Sequence, residues 1–278
     1  MPLTLMYITN RPEVADIAQR AGVDRIWIDM EYIGKEERQA GMNTVKSYHT
    51  IEDIRRLRPI VNSSELMVRI NPIHPESQQE IDATVNAGAD VIMLPMFKSS
   101  REVVQFLELV NGRSKTILLV ETAEAVANIE DILTVCNGNS EIHIGLNDLH
   151  LSYHQTFMFE LLCDGTVERL CDLFRQHHLK YGFGGIARVG YGELPAEMIM
   201  TEHYRLGSTM AILSRGFCNA NATPDVHEIE NIFIQGVTDI RRKEQEISTY
   251  SSADYFQNKK NVATCVSAIV NKIKKRNE

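Results

Sequence analysis

Short apolar runs, mostly β-branched, alternate with longer stretches of helical periodicity through about the first 215 residues. The runs predict strands at Leu3–Ile8, Arg25–Asp29, Leu66–Ile70, Asp90–Leu94, Thr116–Glu121, Glu141–Gly145, Gly182–Ala187 and Thr209–Leu213. Between them the period changes and predicts helices at Arg11–Ala21, Thr50–Arg58, Glu76–Ala87, Ser100–Asn111, Thr122–Cys136, Gly165–His178 and Pro195–Arg205. Ser100 is placed to cap a helix start, and Gly88 and Gly112 to stop helices in the left-handed conformation. Strand–helix alternation implies parallel strands joined by crossover helices. Runs such as Val91-Ile92-Met93-Leu94 are apolar on both faces, as strands covered on both sides must be. Eight such units predict a (β/α)8 TIM barrel, an α/β fold. The rival open sheet of the dinucleotide-binding type needs a glycine-rich turn after the first strand, and Thr9-Asn10-Arg11-Pro12 has none.

The tail has a different rhythm. An amphipathic stretch, Asp225–Ser248, is followed by a polar break and a second helix candidate, Ala253–Lys275, with a basic end. The division expected is a barrel over residues 1–220 and a helical extension over 221–278, either part of the same domain or a subunit contact. One extra helix would close the barrel. The other is free to pack on a partner subunit, which points to a homo-oligomer.

Composition narrows the partners. The 278 residues carry 29 basic and 37 acidic side chains, a net charge of −8, so no electrostatic footprint for nucleic acid or an anionic membrane exists. No apolar run approaches the roughly 20 residues needed to cross a bilayer. The N-terminal residues lack a basic start, and the five cysteines are scattered without a C-x-x-C pair. The expectation is reduced thiols in a cytoplasmic chain.

In a parallel barrel the reacting groups sit where strands end. Those positions hold Asp29-Met30-Glu31-Tyr32, Arg69, Glu121 and Gly145-Leu146-Asn147-Asp148. Glu121 follows an apolar run, and an isolated carboxylate there is costly unless a cation or donors compensate. Asp148 comes one βα unit later. The two can share a Mg²⁺ or Mn²⁺ whose remaining positions are filled by water and a chelating substrate, or they can merely cap the helices that follow. Arg69 can grip a carboxylate or stabilise an oxyanion, or form a salt bridge with Asp29 or Glu31. Asp29 and Glu31 alternate around Met30 and share a face, where they can hold metal-bound waters or balance Arg69. Among the histidines, His143 falls inside a strand and His177 and His178 end a helix, which favours structural roles. His49, His74, His150 and His154 fall in predicted loops, and His150 is closest in sequence to Asp148.

The segments Gly88–Met96, Leu119–Ala125 and Ile144–Leu149, with Asp29-x-Glu31 and Val68-Arg69 upstream, resemble the HpcH/HpaI aldolase and citrate lyase family. The resemblance spans roughly residues 3–215. It implies a divalent metal on Glu121 and Asp148, Arg69 facing a keto oxygen, and a pyruvate-type carboxylate on the backbone amides of Asn147 and Asp148 beside Gly145. The pattern is not kept throughout. Tyr32 stands where the aldolase branch has a histidine, Asn86 where that histidine's acidic partner falls, and Leu119 where a glutamine is common.

The expected activity is a metal-dependent carbon–carbon lyase, a class II aldolase cleaving a 4-hydroxy-2-oxo acid to pyruvate and an aldehyde through an enolate. Its base would be Tyr32, His150 or a metal-bound water. The alternatives are an acyl-CoA lyase of citryl or malyl type, and a barrel that binds metal and a 2-oxo acid without cleaving it.

Overall fold

A computed structural model describes residues 2–34 and 49–277. Eight strands form the sheet: β1 Thr4–Ile8, β2 Arg25–Asp29, β3 Glu65–Arg69, β4 Val91–Leu94, β5 Lys115–Val120, β6 Ser140–Ile144, β7 Lys180–Ile186 and β8 Met210–Leu213. Each pairs in parallel with the next, and β8 pairs with β1, so the sheet closes into the expected barrel.

Side-chain alternation along the strands separates two apolar regions. Leu5, Ile26, Ile28, Val68, Ile92, Leu118 and Ile142 belong to the large core shared with the helices. Met6, Trp27, Met67, Val91, Met93, Ile117, Leu119 and Met210 form a separate plug inside the barrel. At the strand starts the interior is charged. Arg25 is 2.7 Å from Glu65 and reaches both oxygens of Glu141 at 2.6 and 3.1 Å, and Lys115 also bonds Glu65. Ion pairs thus seal one end beneath the apolar plug, and the strand C-termini are left to build a site.

The ring contains α1 Pro12–Arg20, α2 Ile51–Leu57, α3 Ser77–Asn86, α4 Ser100–Val110, α5 Ala123–Ala127, α6 Ile129–Val135, α7 Leu146–Ser152, α8 Glu160–Cys163, α9 Thr166–Gln176 and α10 Ala196–Leu206. Three details differ from the sequence reading. The helix expected over 122–136 is two, because Asn128 leaves helical geometry and its side chain donates to the Lys98 carbonyl. Ser99, and not Ser100, is the N-cap of α4, with Glu102 completing a capping box. The stretch around His150 and His154, read as loop, contains α7 and α8, both too short to show a helical period.

After β8, α11 (Val226–Ile247) packs on α1 and completes the ring. The last helix, α12 (Ser252–Asn277), lies on α8 and α10 of its own chain, burying Val262, Val266 and Val270. Asn258 bonds Glu202, and Lys259 bonds Glu168 at 2.6 Å. These contacts hold the last helix against the barrel of its own chain. Among the described residues no helix is long and apolar enough to cross a membrane.

Candidate active site

Arg69 ends β3 beside Asp29, its register partner at the end of β2. Both faces of the strands are covered there, so the guanidinium is buried and needs counter-charge. Asp29 supplies it through two hydrogen bonds, from Nε at 2.8 Å and Nη2 at 2.9 Å, and Glu31 pairs with Nη1 at 3.3 Å. Burial works against the charge. Asp29 and Glu31, with a smaller contribution from Glu121, outweigh it and hold the pKa above the ordinary arginine value. The guanidinium also lies 5.1 Å from the centroid of the Trp27 ring. These contacts fix its orientation and leave further N–H groups for a ligand oxygen.

Glu121 follows β5 directly and is only 2% exposed. Its Oε1 accepts a hydrogen bond of 3.1 Å from the Met96 amide, and Met96 adopts φ 56° at the tip of β4. A non-glycine residue in that left-handed region carries strain, tolerated here where the amide serves a buried carboxylate. Gly145, after β6, completes the pocket: a Cβ there would fall 2.9 Å from both Cβ and Oε2 of Glu121. Burial raises the Glu121 pKa well above the usual range, the Asp148 carboxylate raises it further, and Arg69 opposes the shift. Asp148 is half-buried in the first turn of α7.

Two carboxylates that repel one another in a buried, oxygen-rich mouth fit a small divalent cation. Among the described residues no group of three or more His, Cys, Asp or Glu side chains that could hold a metal is gathered; Glu121 and Asp148 are the two carboxylates that could share one.

The mouth opens into two lobes that share Trp27, Arg69, Asn147, Asp148, Ile212 and Ser214. The first, about 350 Å³, extends toward β6 and β7 and is mainly apolar, with Glu121 and Gly145 at its edge and Leu146, Phe157, Phe159 and Leu194 around it. The second, about 270 Å³, lies toward β1 and β8 and is more polar, with Asn10, His49, Arg215 and Asn219.

A family model for HpcH/HpaI aldolase/citrate lyase matches residues 3–157. The chain belongs to the HpcH/HpaI aldolase/citrate lyase family. This family is of lyase and aldolase type. Solved structures of the same fold include the HpcH/HpaI aldolase from Desulfitobacterium hafniense DCB-2, at 17% identity and TM-score 0.59, covering 86% of this chain and 93% of that one. A HpcH/HpaI aldolase/citrate lyase family protein from Burkholderia cenocepacia J2315 aligns at 16% identity and TM-score 0.61, covering 86% and 95%. The citrate synthase SbnG aligns at 16% and 0.57, covering 77% and 88%. No curated protein sequence matches the chain significantly.

Within this family member, Arg69, Glu121, Gly145, Asn147 and Asp148 line one cavity, and Asp29 and Glu31 bind its arginine. Tyr32 and His150 line neither lobe. Tyr32 is 65% exposed, in the turn that follows the end of β2 at Asp29. His150 is held inside α7 by Nδ1 at 3.1 Å from the Leu146 carbonyl. Sequence reasoning did not single out Asn71, which accepts from the amides of Tyr32 and Ile33 and donates to Glu80, bracing the turn after β2. It also passed over Trp27 and assigned His143 to structure. Both sit at inward-facing strand positions that alternation counting would have identified.

Proposed function

We propose that the protein is a carbon–carbon lyase that cleaves a 4-hydroxy-2-oxo acid to pyruvate and an aldehyde, with Mg²⁺ or Mn²⁺ held by Glu121 and Asp148. The observation that carries this reading is the buried Glu121 carboxyl, repelled by Asp148 and facing the field of Arg69. A bound divalent ion supplies Lewis-acid polarisation of the keto oxygen.

The chain's residues do the rest. First-turn amides of α7, at Asn147 and Asp148, have no carbonyl partner earlier in the helix and can receive the substrate carboxylate. Arg69, oriented by Asp29 and Glu31, offers N–H groups to the oxygen that gains charge as the C3–C4 bond breaks. The C4 hydroxyl gives its proton to a water molecule in the polar lobe, the C3–C4 bonding pair passes into the C2–C3 enolate as the aldehyde leaves, and a proton returned from water to C3 gives pyruvate. Leu119 and Leu146 line the same cavity as Glu121, and their apolar surface lowers the local dielectric around these electrostatic contacts. Neither Tyr32 nor His150 lines the cavity, so Tyr32→Phe and His150→Phe are expected to leave turnover within about twofold of the parent.

That same placement favours the second reading, a barrel that binds a metal and a 2-oxo acid without cleavage. The test follows pyruvate release from a panel of 4-hydroxy-2-oxo acids, and release of an acetyl thioester with glyoxylate or oxaloacetate from malyl- and citryl-type thioesters, with and without Mn²⁺. Metal-dependent release from a 4-hydroxy-2-oxo acid supports the proposal. Release from the thioesters alone moves the activity to the acyl-CoA branch, and pyruvate binding without any turnover supports the second reading.

A further inference from the structure

The apolar lobe contains polar side chains that the mechanism above leaves unused, the most buried of them His143. His143 sits on β6 between Ile142 and Ile144, which belong to the helix-facing core, so alternation turns it into the barrel. It pairs in register with Leu119 of β5 and Gly182 of β7, and lines the same cavity as Glu121. The imidazole is 0% exposed.

Its tautomer follows from its one hydrogen bond. Nε2 lies 3.2 Å from the carbonyl oxygen of Gly184, and a carbonyl only accepts, so Nε2 carries the proton. Gly184 occupies an irregularity of β7, where the register with β8 shifts between Gly182 and Gly185. Its φ of 52° and the Leu146 methyl, which a Cβ would approach to 2.7 Å, reserve the position for glycine. Burial keeps the ring neutral, with its pKa lowered to about 4. Nδ1 is therefore a bare lone pair, and it has no hydrogen-bond partner among the described residues. A buried acceptor left unpaired is costly, and most such groups in folded proteins are satisfied. Across the barrel, Trp27 lines the same cavity with a buried Nε1–H that also lacks a partner among the described residues.

We infer that His143 is a specificity-determining residue whose Nδ1 accepts a hydrogen bond from a hydroxyl on an otherwise apolar carbonyl partner seated in this lobe. The class that fits is a hydroxylated aromatic or alkyl aldehyde: the apolar body meets Leu119, Leu146, Phe157 and Leu194, and the hydroxyl donates to His143. A lobe built this way discriminates against the matching molecule without the hydroxyl, because that molecule leaves the imidazole unpaired.

This rests on the lyase reading for the role of the aldehyde, but its test needs neither metal nor turnover. Binding of 3-hydroxybenzaldehyde and 3-methylbenzaldehyde to the full chain is measured by calorimetry, without pyruvate or Mn²⁺. The hydroxyl probe is expected to bind about tenfold more tightly, and His143→Phe to remove that preference. In the unmodified protein labelled with ¹⁵N-histidine, the His143 Nδ1 resonance shifts with the hydroxyl probe and not with the methyl one. Equal affinities, no binding of either probe, or an unmoved Nδ1 resonance overturns the assignment. Failure of pyruvate release in the separate assay would instead count against the lyase chemistry, leaving this binding result intact.

Discussion

Asp29 grips Arg69 with two hydrogen bonds, 2.8 Å from Nε and 2.9 Å from Nη2, joining the ends of two adjacent strands. The pair is buried, so it orients the guanidinium against the cavity and does not merely balance its charge. Asp29→Asn removes the charge and one acceptor but keeps the size. Misplacing a catalytic group by about 1 Å costs up to about a hundredfold in rate. Steady-state kinetics of Asp29→Asn should show kcat/KM down by about that factor with Mn²⁺ affinity unchanged; an unaltered kcat/KM would mean that Asp29 does not position Arg69.

At the opposite end of the barrel, Arg25 is bound by Glu65 and by both oxygens of Glu141. Removing one member of a buried ion pair leaves the other charge stranded, at a cost of about 3–5 kcal/mol. Urea unfolding of Arg25→Ala is expected to show a loss of that size, while Mn²⁺ binding by the folded fraction stays intact. A variant that also carries Glu65→Gln and Glu141→Gln should recover part of the loss, since fewer uncompensated charges remain.

Gly145 is reserved by space and not by backbone conformation, since its φ of −81° is open to any residue. Its added Cβ would meet Glu121, so Gly145→Ala must displace the carboxylate. Weaker Mn²⁺ binding with secondary structure and Tm close to the parent is the expected pattern. Unchanged affinity would show that the Glu121 carboxylate does not hold the ion.

Acid should destabilise the fold through its buried histidines. Burial lowers the pKa of His143 to about 4 and of His203, stacked on Phe183, to about 3, against 6.5 in the unfolded chain. Between those values the unfolded state binds protons that the folded state refuses. Their contribution is complete above pH 6.5 and is lost as the pH falls toward 4. For His143 the loss is roughly 3 kcal/mol. Denaturant midpoints measured from pH 7 to 4 should fall, and fall less steeply in His143→Phe; parallel curves would show that the imidazole titrates normally.

Much of this was legible in the sequence because barrel strands announce themselves. Val91–Leu94 and Ile117–Val120 are apolar on both faces, and Arg69 and Glu121 stand at the ends of such runs. What was not legible depends on distances between elements. The split at Asn128 needs the Lys98 carbonyl as a partner, and α7 and α8 are too short to carry a period. The left-handed Met96, which aims its amide at Glu121, has no mark in composition. His143 was visible as an inward position on β6, but only the carbonyl of Gly184 fixes which of its nitrogens carries the proton.

Titration of Mn²⁺ into the metal-free protein, followed by the loss of its free-ion paramagnetic resonance signal, bears most directly on the Glu121–Asp148 pair. The raised Glu121 pKa means that protons compete with the ion, so affinity should rise with pH as that carboxyl ionises. Binding of a single ion per chain, strengthened by rising pH and abolished in both Glu121→Ala and Asp148→Ala, is the predicted result. Undiminished binding in either variant would contradict it.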